Sequence, residues 1–484
     1  MRLPILIFAC ILFSIQSFSQ DDKYQPVPQT WSITSTVSNC NPDVGDTYGA
    51  YNKSVCYLND GPAVLLVNEK DKYSLVSINK LGATLWQVPI GGKTFGVGKR
   101  NSNFIVIYEG EHRELHAAVI DGKTHQNLLD KNIYTSDKQE RNYFVENTPS
   151  GDFDHLLIRT EPKPRAFAAM SENTKTAKLE IISLDESLNP KVYDITNDID
   201  GGIFIATVTG DNGDHFIATL MADAMVIKKY NADGKITDQL IANLSFRKFG
   251  TPVCKLDAEN HNGVIICIRY QNEKKDEAII SMYADFSAKK VFESEEQVLD
   301  KSYQKMLKER IVKTPGIKST SLSSMEYLTP VDIVTANGKI IVIKEIQYET
   351  SSRDSRSYFN EHIIVSSYNK KMQLSTDNII DRYFEAFLPV GRSIGVHVKD
   401  NTMYIVSCSL ISAGRLGTQF YAVDINSNTL TTNSVVTKQR FLQNSGVEGA
   451  STLWFPDCFI LSMVHASAKL FRIDLSSSLK RIDY

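Results

Sequence analysis

Short apolar runs alternate with polar turns along most of this 484-residue chain. Many of the runs are rich in β-branched residues and end in Asn, Asp, Gly or Ser, a pattern typical of strands joined by tight turns. Eight strand–turn–strand units begin at Leu75, Ala117, Glu180, Val226, Ile279, Ile363, Phe420 and Leu470. Another apolar run precedes nearly every unit, for example AVLLVNE and VIICIRY, and weaker runs such as GIFIATV lie ahead of those. The pattern therefore predicts four strands that recur about eight times.

Recurrence at intervals of roughly 40 to 80 residues indicates one large fold built from repeats. No linker rich in Pro, Gly or Ser divides residues 20–484, so we expect a single domain there. The sequence predicts an all-β fold, a β-propeller of seven or eight four-stranded blades with one helical insertion. Two stacked β-sandwiches are the alternative. The stretch TWSITSTVS, from Thr30, is expected to complete the last blade and close the ring.

One segment has the periodicity of a helix. Leu299, Tyr303, Leu307 and Ile311 recur every four residues, so residues 297–312 are expected to form an amphipathic helix with one apolar stripe. The motif TPG follows and ends it. We expect this helix to pack on the propeller rather than to bind a cofactor.

Residues 1–19 have the features of a secretory signal peptide. Arg2 precedes an apolar run, and Ser17 and Ser19 provide small side chains for cleavage after residue 19. The run is shorter than the roughly 20 apolar residues that a membrane span needs. We therefore expect an exported protein, periplasmic or extracellular, without a membrane span.

The formal net charge of −3 is close to neutral for this length, so it gives no global signal for nucleic acid. Any attraction to a charged partner must come from local patches. No complete phosphate-loop or calcium-loop motif is present in the sequence, and we predict no cofactor and no metal.

Six cysteines follow the predicted cleavage site, namely Cys40, Cys56, Cys254, Cys267, Cys408 and Cys458. An exported protein with six cysteines can form three disulfides, in any of fifteen pairings. Cys254 and Cys267 flank the turn DAENHNG on two predicted antiparallel strands, and a disulfide needs Cα atoms within about 7 Å. This pair is therefore the predicted disulfide, and buried thiols in apolar strands are the alternative.

Long insertions are concentrated on one face of the predicted propeller. If the strands of each blade are labelled a to d from the inside outward, the b–c and d–a connections share a face. Three b–c connections appear long, over residues 159–178, 346–362 and 409–419. The helical insertion and residues 438–451 are d–a connections on that same face. Insertions on one face are typical of the binding side of a repeat protein.

The long connections combine cations with aromatic rings. We predict that substrate binding involves Arg159, Arg165, Arg353, Arg356, Arg415 and Arg440. Guanidinium groups suit bidentate contact with carboxylate or sulfate, and rings such as Tyr348 and Phe359 suit stacking on sugars. An acidic polysaccharide is therefore the predicted partner. Because Glu161 and Asp354 lie among the cations, ordinary solvated loop charge is the alternative.

The histidines of the stretch EGEHRELHAAVIDGKTH do not predict a metal site. His112 and His116 are four residues apart, which on a strand is about 13 Å, and His125 falls in a c–d turn on the opposite face. Their grouping is interpreted as a coincidence of sequence. We predict catalytic roles for residues at b–c connections, namely His112, His362, Tyr348 and Tyr358. Surface or structural histidines are the alternative.

The predicted architecture resembles that of propeller-fold polysaccharide lyases, including some that act on ulvan, and of exported proteins of polysaccharide-utilisation systems. The resemblance implies cleavage of a uronate-containing polysaccharide by β-elimination, with other proteins of such a system as further partners. In this reaction a cation neutralises the carboxylate while a base and an acid move protons. The alternative is a non-catalytic propeller that binds a glycan or a protein. An enzyme requires His or Tyr close to Arg, whereas scattered positions favour binding alone.

Overall fold

The computed structural model describes residues 24–27, 55–57, 63–69, 72–80, 84–111, 114–136, 140–146, 154–162, 178–199, 202–210, 212–221, 224–244, 248–312, 322, 324–351, 356–386, 394–412, 415–436, 446–447, 449, 452–455, 458–464 and 469–474. Within these ranges the chain is all-β, with one α-helix, Lys301–Lys308, and 3₁₀ helices at Thr196–Ile199 and Met325–Tyr327. None of the helices in these ranges has the length and apolar character needed to cross a bilayer.

The strands form eight sheets, numbered here in chain order, and sheets 1 to 4 are four-stranded and antiparallel. Their strands are Val55–Tyr57, Ala63–Glu69, Lys72–Ile78 and Thr84–Ile90 in sheet 1; Lys93–Arg100, Asn103–Glu109, Glu114–Ile120 and Asn127–Thr135 in sheet 2; Glu140–Glu146, His155–Pro162, Lys178–Leu184 and Pro190–Asp194 in sheet 3; and Ile203–Thr209, His215–Leu220, Met225–Tyr230 and Ile236–Ala242 in sheet 4. Each is a simple meander of consecutive strands.

Sheets 5, 6 and 8 add short strands at their edges, whereas sheet 7 is another four-stranded meander. Their strands are Lys248–Phe249, Val253–Asp257, Asn260–Gln271, Glu277–Asp285, Lys290–Glu293 and Gln297–Val298 in sheet 5; Ile311–Val312, Leu328–Ala336, Lys339–Ser351, Arg356–Asn369 and Leu374–Ala386 in sheet 6; Gly395–Lys399, Thr402–Ser412, Arg415–Asp424 and Thr429–Val436 in sheet 7; and Tyr24–Val27, Gly446–Val447, Leu453–Trp454, Cys458–Val464 and Lys469–Asp474 in sheet 8. Seven of the predicted strand–turn–strand units are the last two main strands of sheets 1 to 7.

The outer strand of sheet 8 comes from the opposite end of the chain. Tyr24–Val27 pairs antiparallel with Lys469–Asp474, so both ends of the described chain belong to one sheet. The sequence led us to expect this role for the stretch from Thr30, which lies outside the described residues. The pairing strand is instead the short segment that precedes it.

Successive sheets pack face to face through apolar side chains. One hydrophobic cluster joins Phe216 of sheet 4 with Ile266 of sheet 5, and another joins Ile343 of sheet 6 with Ile405 of sheet 7. Similar clusters lie between the other neighbouring sheets from sheet 1 to sheet 7. Side chains alternate between the two faces of a strand, so near-continuous runs of β-branched residues fill the cores on both sides. Four-stranded meanders packed in chain order are the arrangement of propeller blades.

The predicted helix is present but shorter than expected. It spans Lys301–Lys308, and the ends of the predicted segment form the short strands Gln297–Val298 and Ile311–Val312. Asp300 caps the helix by accepting a hydrogen bond from the Tyr303 backbone N–H over 2.8 Å. The apolar stripe packs into the cluster between sheets 5 and 6, which confirms that this helix lies on the sheets.

The predicted disulfide between Cys254 and Cys267 is wrong. The two strands are antiparallel neighbours, but Cys254 is paired with Ile266 and Cys267 with Val253, and no disulfide forms. This offset of one residue directs the two side chains to opposite faces. Cys254 packs between sheets 4 and 5, whereas Cys267 is buried between sheets 5 and 6.

Substitution of Leu307 tests the packing of the helix. Leu307 is fully buried, so Leu307→Ala is expected to lower the free energy of unfolding by about 2–5 kcal/mol through lost contacts and a residual cavity. The control Lys305→Ala removes an exposed side chain of the same helix and is expected to change it by about 0.5 kcal/mol or less. Urea unfolding measures both, and equal effects of the two substitutions would contradict the assigned packing.

Candidate functional site

The predicted residue Tyr348 lies at an extended end of sheet 6. The strands Lys339–Ser351 and Arg356–Asn369 pair continuously up to Ser351 and Arg356. The segment predicted as a long connection, residues 346–362, is therefore mostly strand. The prediction failed because cross-strand contacts, such as that between Tyr348 and Phe359, let a polar sequence continue a sheet. Residues 409–419 behave in the same way in sheet 7.

Two of the predicted catalytic residues are buried within the strand Arg356–Asn369. Tyr358 is 5% exposed and His362 is fully buried, with its Nδ1 3.5 Å from Asp381 Oδ1. The prediction that His362 lies at a surface connection was wrong. The residue occupies a β-bulge, which adds a residue to a strand without ending it. His112 lies outside the described residues.

Three predicted arginines fall at the b–c ends of their sheets. Arg159 is near the end of the second strand of sheet 3, and Arg356 and Arg415 begin the third strands of sheets 6 and 7. Arg159 Cζ lies 5.0 Å from the centre of the Phe204 ring in sheet 4, within cation–π range. The remaining three, outside the described residues, are Arg165, Arg353 and Arg440.

Three rings at this end of sheet 6, Tyr327, Tyr348 and Phe359, form what we call the aromatic ladder. The centroids of Tyr348 and Phe359 are 4.8 Å apart and their planes differ by 7°. The Tyr327 ring lies 5.3 Å from that of Tyr348, and Tyr327 is 41% exposed. Met325, which is buried, anchors the 3₁₀ helix that carries Tyr327. The ladder is therefore an ordered, partly exposed aromatic surface.

Two carboxylates lie beside this ladder, and we call Tyr348, Glu361, Tyr383 and Glu385 the carboxylate cluster. Tyr348 OH donates to Glu361 Oε1 over 2.9 Å, and Tyr383 OH donates to Glu385 Oε2 over 2.8 Å. Glu361 and Tyr383 are cross-strand neighbours. Burial, reinforced by the hydrogen bond to Glu361, raises the pKa of Tyr348 to about 12, so this phenol is protonated at neutral pH.

The pKa of Glu361 is also raised. Burial is the main cause, and the charge of Glu326 acts in the same direction, while the hydrogen bond from Tyr348 opposes them. Glu361, Tyr383 and Glu385 are not among the site residues predicted from the sequence. Successive side chains of a strand point to opposite faces of the sheet, so these residues can be placed on one face once the strand register is known.

A buried polar network supports the opposite face of the same strands. Arg382 is fully buried and forms an ion pair with Glu345, which is 1% exposed. Asn360 and Gln347 donate to Glu345 Oε2 over 2.7 and 2.6 Å. Arg382 Nε donates to the Cys408 carbonyl oxygen over 2.8 Å and so links sheet 6 to sheet 7. Buried charges need such partners, and the network fixes the position of the ladder strands.

A second cluster lies on sheet 2 and was not expected. His116 Nδ1 lies 3.1 Å from Asp130 Oδ1 and 3.3 Å from Tyr108 OH, and its Nε2 lies 3.3 Å from Glu114 Oε2. Tyr108 OH also donates to Asp130 Oδ2 over 2.7 Å. Across the described ranges, no group of three or more His, Cys, Asp or Glu is arranged to hold a metal ion. His125 lies in the predicted c–d turn and stacks on Trp86 at 4.5 Å.

No protein-family model and no curated protein matches this chain. Among solved structures it is similar to the WD40 domain of SCAP from fission yeast, with 10% identity over 94% of this chain and 98% of that chain and a TM-score of 0.40. It is also similar to BamB from Moraxella catarrhalis, with 10% identity over 87% of this chain and 96% of that chain and a TM-score of 0.40. A third similar structure is a polysaccharide lyase of family PL25, an ulvan lyase, with 10% identity over 78% of this chain and 91% of that chain and a TM-score of 0.36. These low similarities assign no activity to this chain.

Breaking the buried ion pair tests the network behind the ladder. Arg382→Met leaves Glu345 charged without its ionic partner, and we expect a loss of about 3–5 kcal/mol in the free energy of unfolding. The matched control Lys289→Met removes an ion pair with Asp238 at a lysine that is 64% exposed, and should cost less than about 1 kcal/mol. Urea unfolding compares the two; a loss for Arg382→Met as small as the control would contradict a buried network.

Proposed function

We propose that this protein is an exported β-propeller of eight four-stranded blades that binds a glycan through the aromatic ladder. The observation that carries the proposal is the ordered row of Tyr327, Tyr348 and Phe359 on the elaborated face. Aromatic rings offer apolar area to the C–H faces of sugars, and neighbouring polar groups hydrogen-bond to hydroxyls. Tyr383 and Glu385 supply such groups beside the ladder.

Rigidity supports a binding role for this surface. The Tyr348 ring is stacked against Phe359, and its hydroxyl is held by Glu361, so little side-chain freedom remains to be lost on binding. The buried ion pair between Glu345 and Arg382 holds the same strands from the other face. A preorganised ring surface of this kind favours recognition of a repetitive, flat ligand.

The charges around Tyr348 favour binding over β-elimination. Glu361 and Glu385 lie in the cluster with Tyr348, and like charges would repel a uronate carboxylate at this position. Elimination also requires a base, whereas Tyr348 is protonated at neutral pH and His362 is buried. The lyase hypothesis therefore depends on residues outside the described ranges, such as His112 and Arg353, and it stays a prediction.

A panel of neutral, acidic and amino polysaccharides tests the proposal with the purified mature protein. Retention in affinity electrophoresis reports binding, and ultraviolet absorbance of an unsaturated product reports elimination in the same samples. Retention without absorbance supports a binding propeller. Absorbance with a uronate polymer supports the lyase, and neither signal with any polymer overturns glycan binding.

Loss of one ring locates the binding surface. Tyr327→Ala removes the most exposed ring of the ladder and should raise the dissociation constant of the retained glycan about 2- to 13-fold, the equivalent of about 0.5–1.5 kcal/mol for one aromatic contact. The control Leu128→Ala removes a large apolar residue that is 54% exposed on sheet 2. Calorimetric titration measures both variants. Unchanged affinity in Tyr327→Ala, with a normal unfolding curve, would exclude the ladder.

A further inference from the structure

The carboxylate cluster concentrates negative charge at a surface whose neighbouring groups are aromatic. Glu361 is 4% exposed, and only its Oε1 is engaged, by Tyr348 OH. Its Oε2 is buried and has no hydrogen-bond partner among the described residues. A buried carboxylate is normally neutralised, and for Glu361 this is achieved either by a proton, which its raised pKa favours, or by the field of a nearby cation.

Two further carboxylates lie near Glu361. Glu385 accepts from Tyr383 and is exposed, and Glu326 is close enough to raise the pKa of Glu361. Among the described side chains, Arg269 is a cation beside the ladder, and its guanidinium lies 6.0 Å from the Tyr327 ring. Arg269 Nε is bonded to Glu277 over 3.0 Å, so its charge is already paired within sheet 5.

The ring faces add to the attraction for a cation. A cation within about 6 Å of an aromatic centroid is attracted by the quadrupole of the ring, and nearby carboxylates add a Coulomb contribution. Tyr348 provides such a ring, and its hydroxyl already contacts Glu361. Rings next to carboxylates suit an ammonium group on an otherwise apolar sugar face.

We infer that the carboxylate cluster binds the ammonium group of an amino sugar in the glycan held by the aromatic ladder. This inference rests on the proposed glycan-binding function and adds the substrate class. The ring face stacks on the ladder, and the positive group lies against Tyr348 and Glu385 in the field of Glu361. An acidic polymer would place its carboxylate or sulfate against these same carboxylates.

Two oligosaccharide series of equal length test the inference with the full mature chain. Glucosamine oligomers carry ammonium groups, whereas N-acetylglucosamine oligomers have the same rings without the charge. In calorimetric titration at low salt, the charged series should bind about 3- to 30-fold more tightly, as expected for one cation–π contact and one exposed ion pair. The preference should shrink as pH falls through the raised pKa of Glu361 and as pH rises through that of the amine.

Two variants identify the carboxylates responsible. Glu361→Gln should remove most of the preference for the charged series, and because Gln can still accept a hydrogen bond from Tyr348 OH, the acetylated series should lose less affinity than the charged series. Glu385→Gln, at an exposed position, should reduce the preference without disturbing folding. The control Glu295→Gln neutralises an exposed carboxylate on the outer side of sheet 5 and should leave the preference unchanged.

The outcomes separate this inference from the proposed function. Equal affinity for the two series overturns the ammonium inference and leaves glycan binding intact. Binding of neither series also overturns it, while the wider polysaccharide panel decides independently whether the protein binds glycans. A preference that survives in both Glu361→Gln and Glu385→Gln places the ammonium site elsewhere and overturns the assignment to this cluster.

Discussion

Burial of apolar side chains on both faces of each sheet is the constraint on which the rest of this structure depends. Ile341 and Ile343 of one strand face sheet 7, whereas Ile340 and Val342 face sheet 5. A sheet that is apolar on both faces must be covered on both, so consecutive meanders stack in chain order. At the b–c ends, the strands of sheets 6 and 7 extend beyond this core. Polar and aromatic side chains at these ends are not needed for packing between sheets and can contact a ligand.

Much of the fold was predictable because hairpin turns and apolar runs are local signals. The last two strands of sheets 1 to 7 begin close to the predicted positions. The disulfide was not predictable, because the pairing of Cys254 with Ile266 depends on a register that shifts by three residues between Leu256 and Asp257. The ends of the helical segment were also misjudged, since Gln297–Val298 pairs with sheet 5 and tertiary contacts override a helical pattern.

The candidate site was predicted only in part. Composition pointed to the b–c end of the sheets and to Tyr348, but it could not distinguish a polar loop from an extended polar strand. The carboxylate cluster draws on three strands, that of Tyr348 and two others, and only the register brings Glu361 and Tyr383 beside Tyr348. His362 shows the same error, because the polar sequence around a β-bulge resembles a loop although the His362 ring is buried in the strand.

Taken together, the ladder and the cluster describe a surface with apolar rings, protonated phenols and carboxylates. Burial raises the pKa of Tyr348 further above neutral pH, and the ion pair between Glu345 and Arg382 holds the strands that present this side chain. Such a surface suits stacking and hydrogen bonding to a polyhydroxylated ligand more than proton abstraction. The surface proposed for glycan binding is therefore formed by the same alternation of side chains that builds the sheets.

Hydroxyl-radical footprinting with mass spectrometry tests the central claim most directly, because it reports the exposure of individual aromatic side chains. Addition of a retained glycan should protect Tyr327, Tyr348 and Phe359 from oxidation. Trp86 of sheet 1, which stacks on His125 at the opposite turns, should remain unchanged. Protection elsewhere, with the three ladder rings oxidised as in the unliganded protein, would contradict binding at this surface.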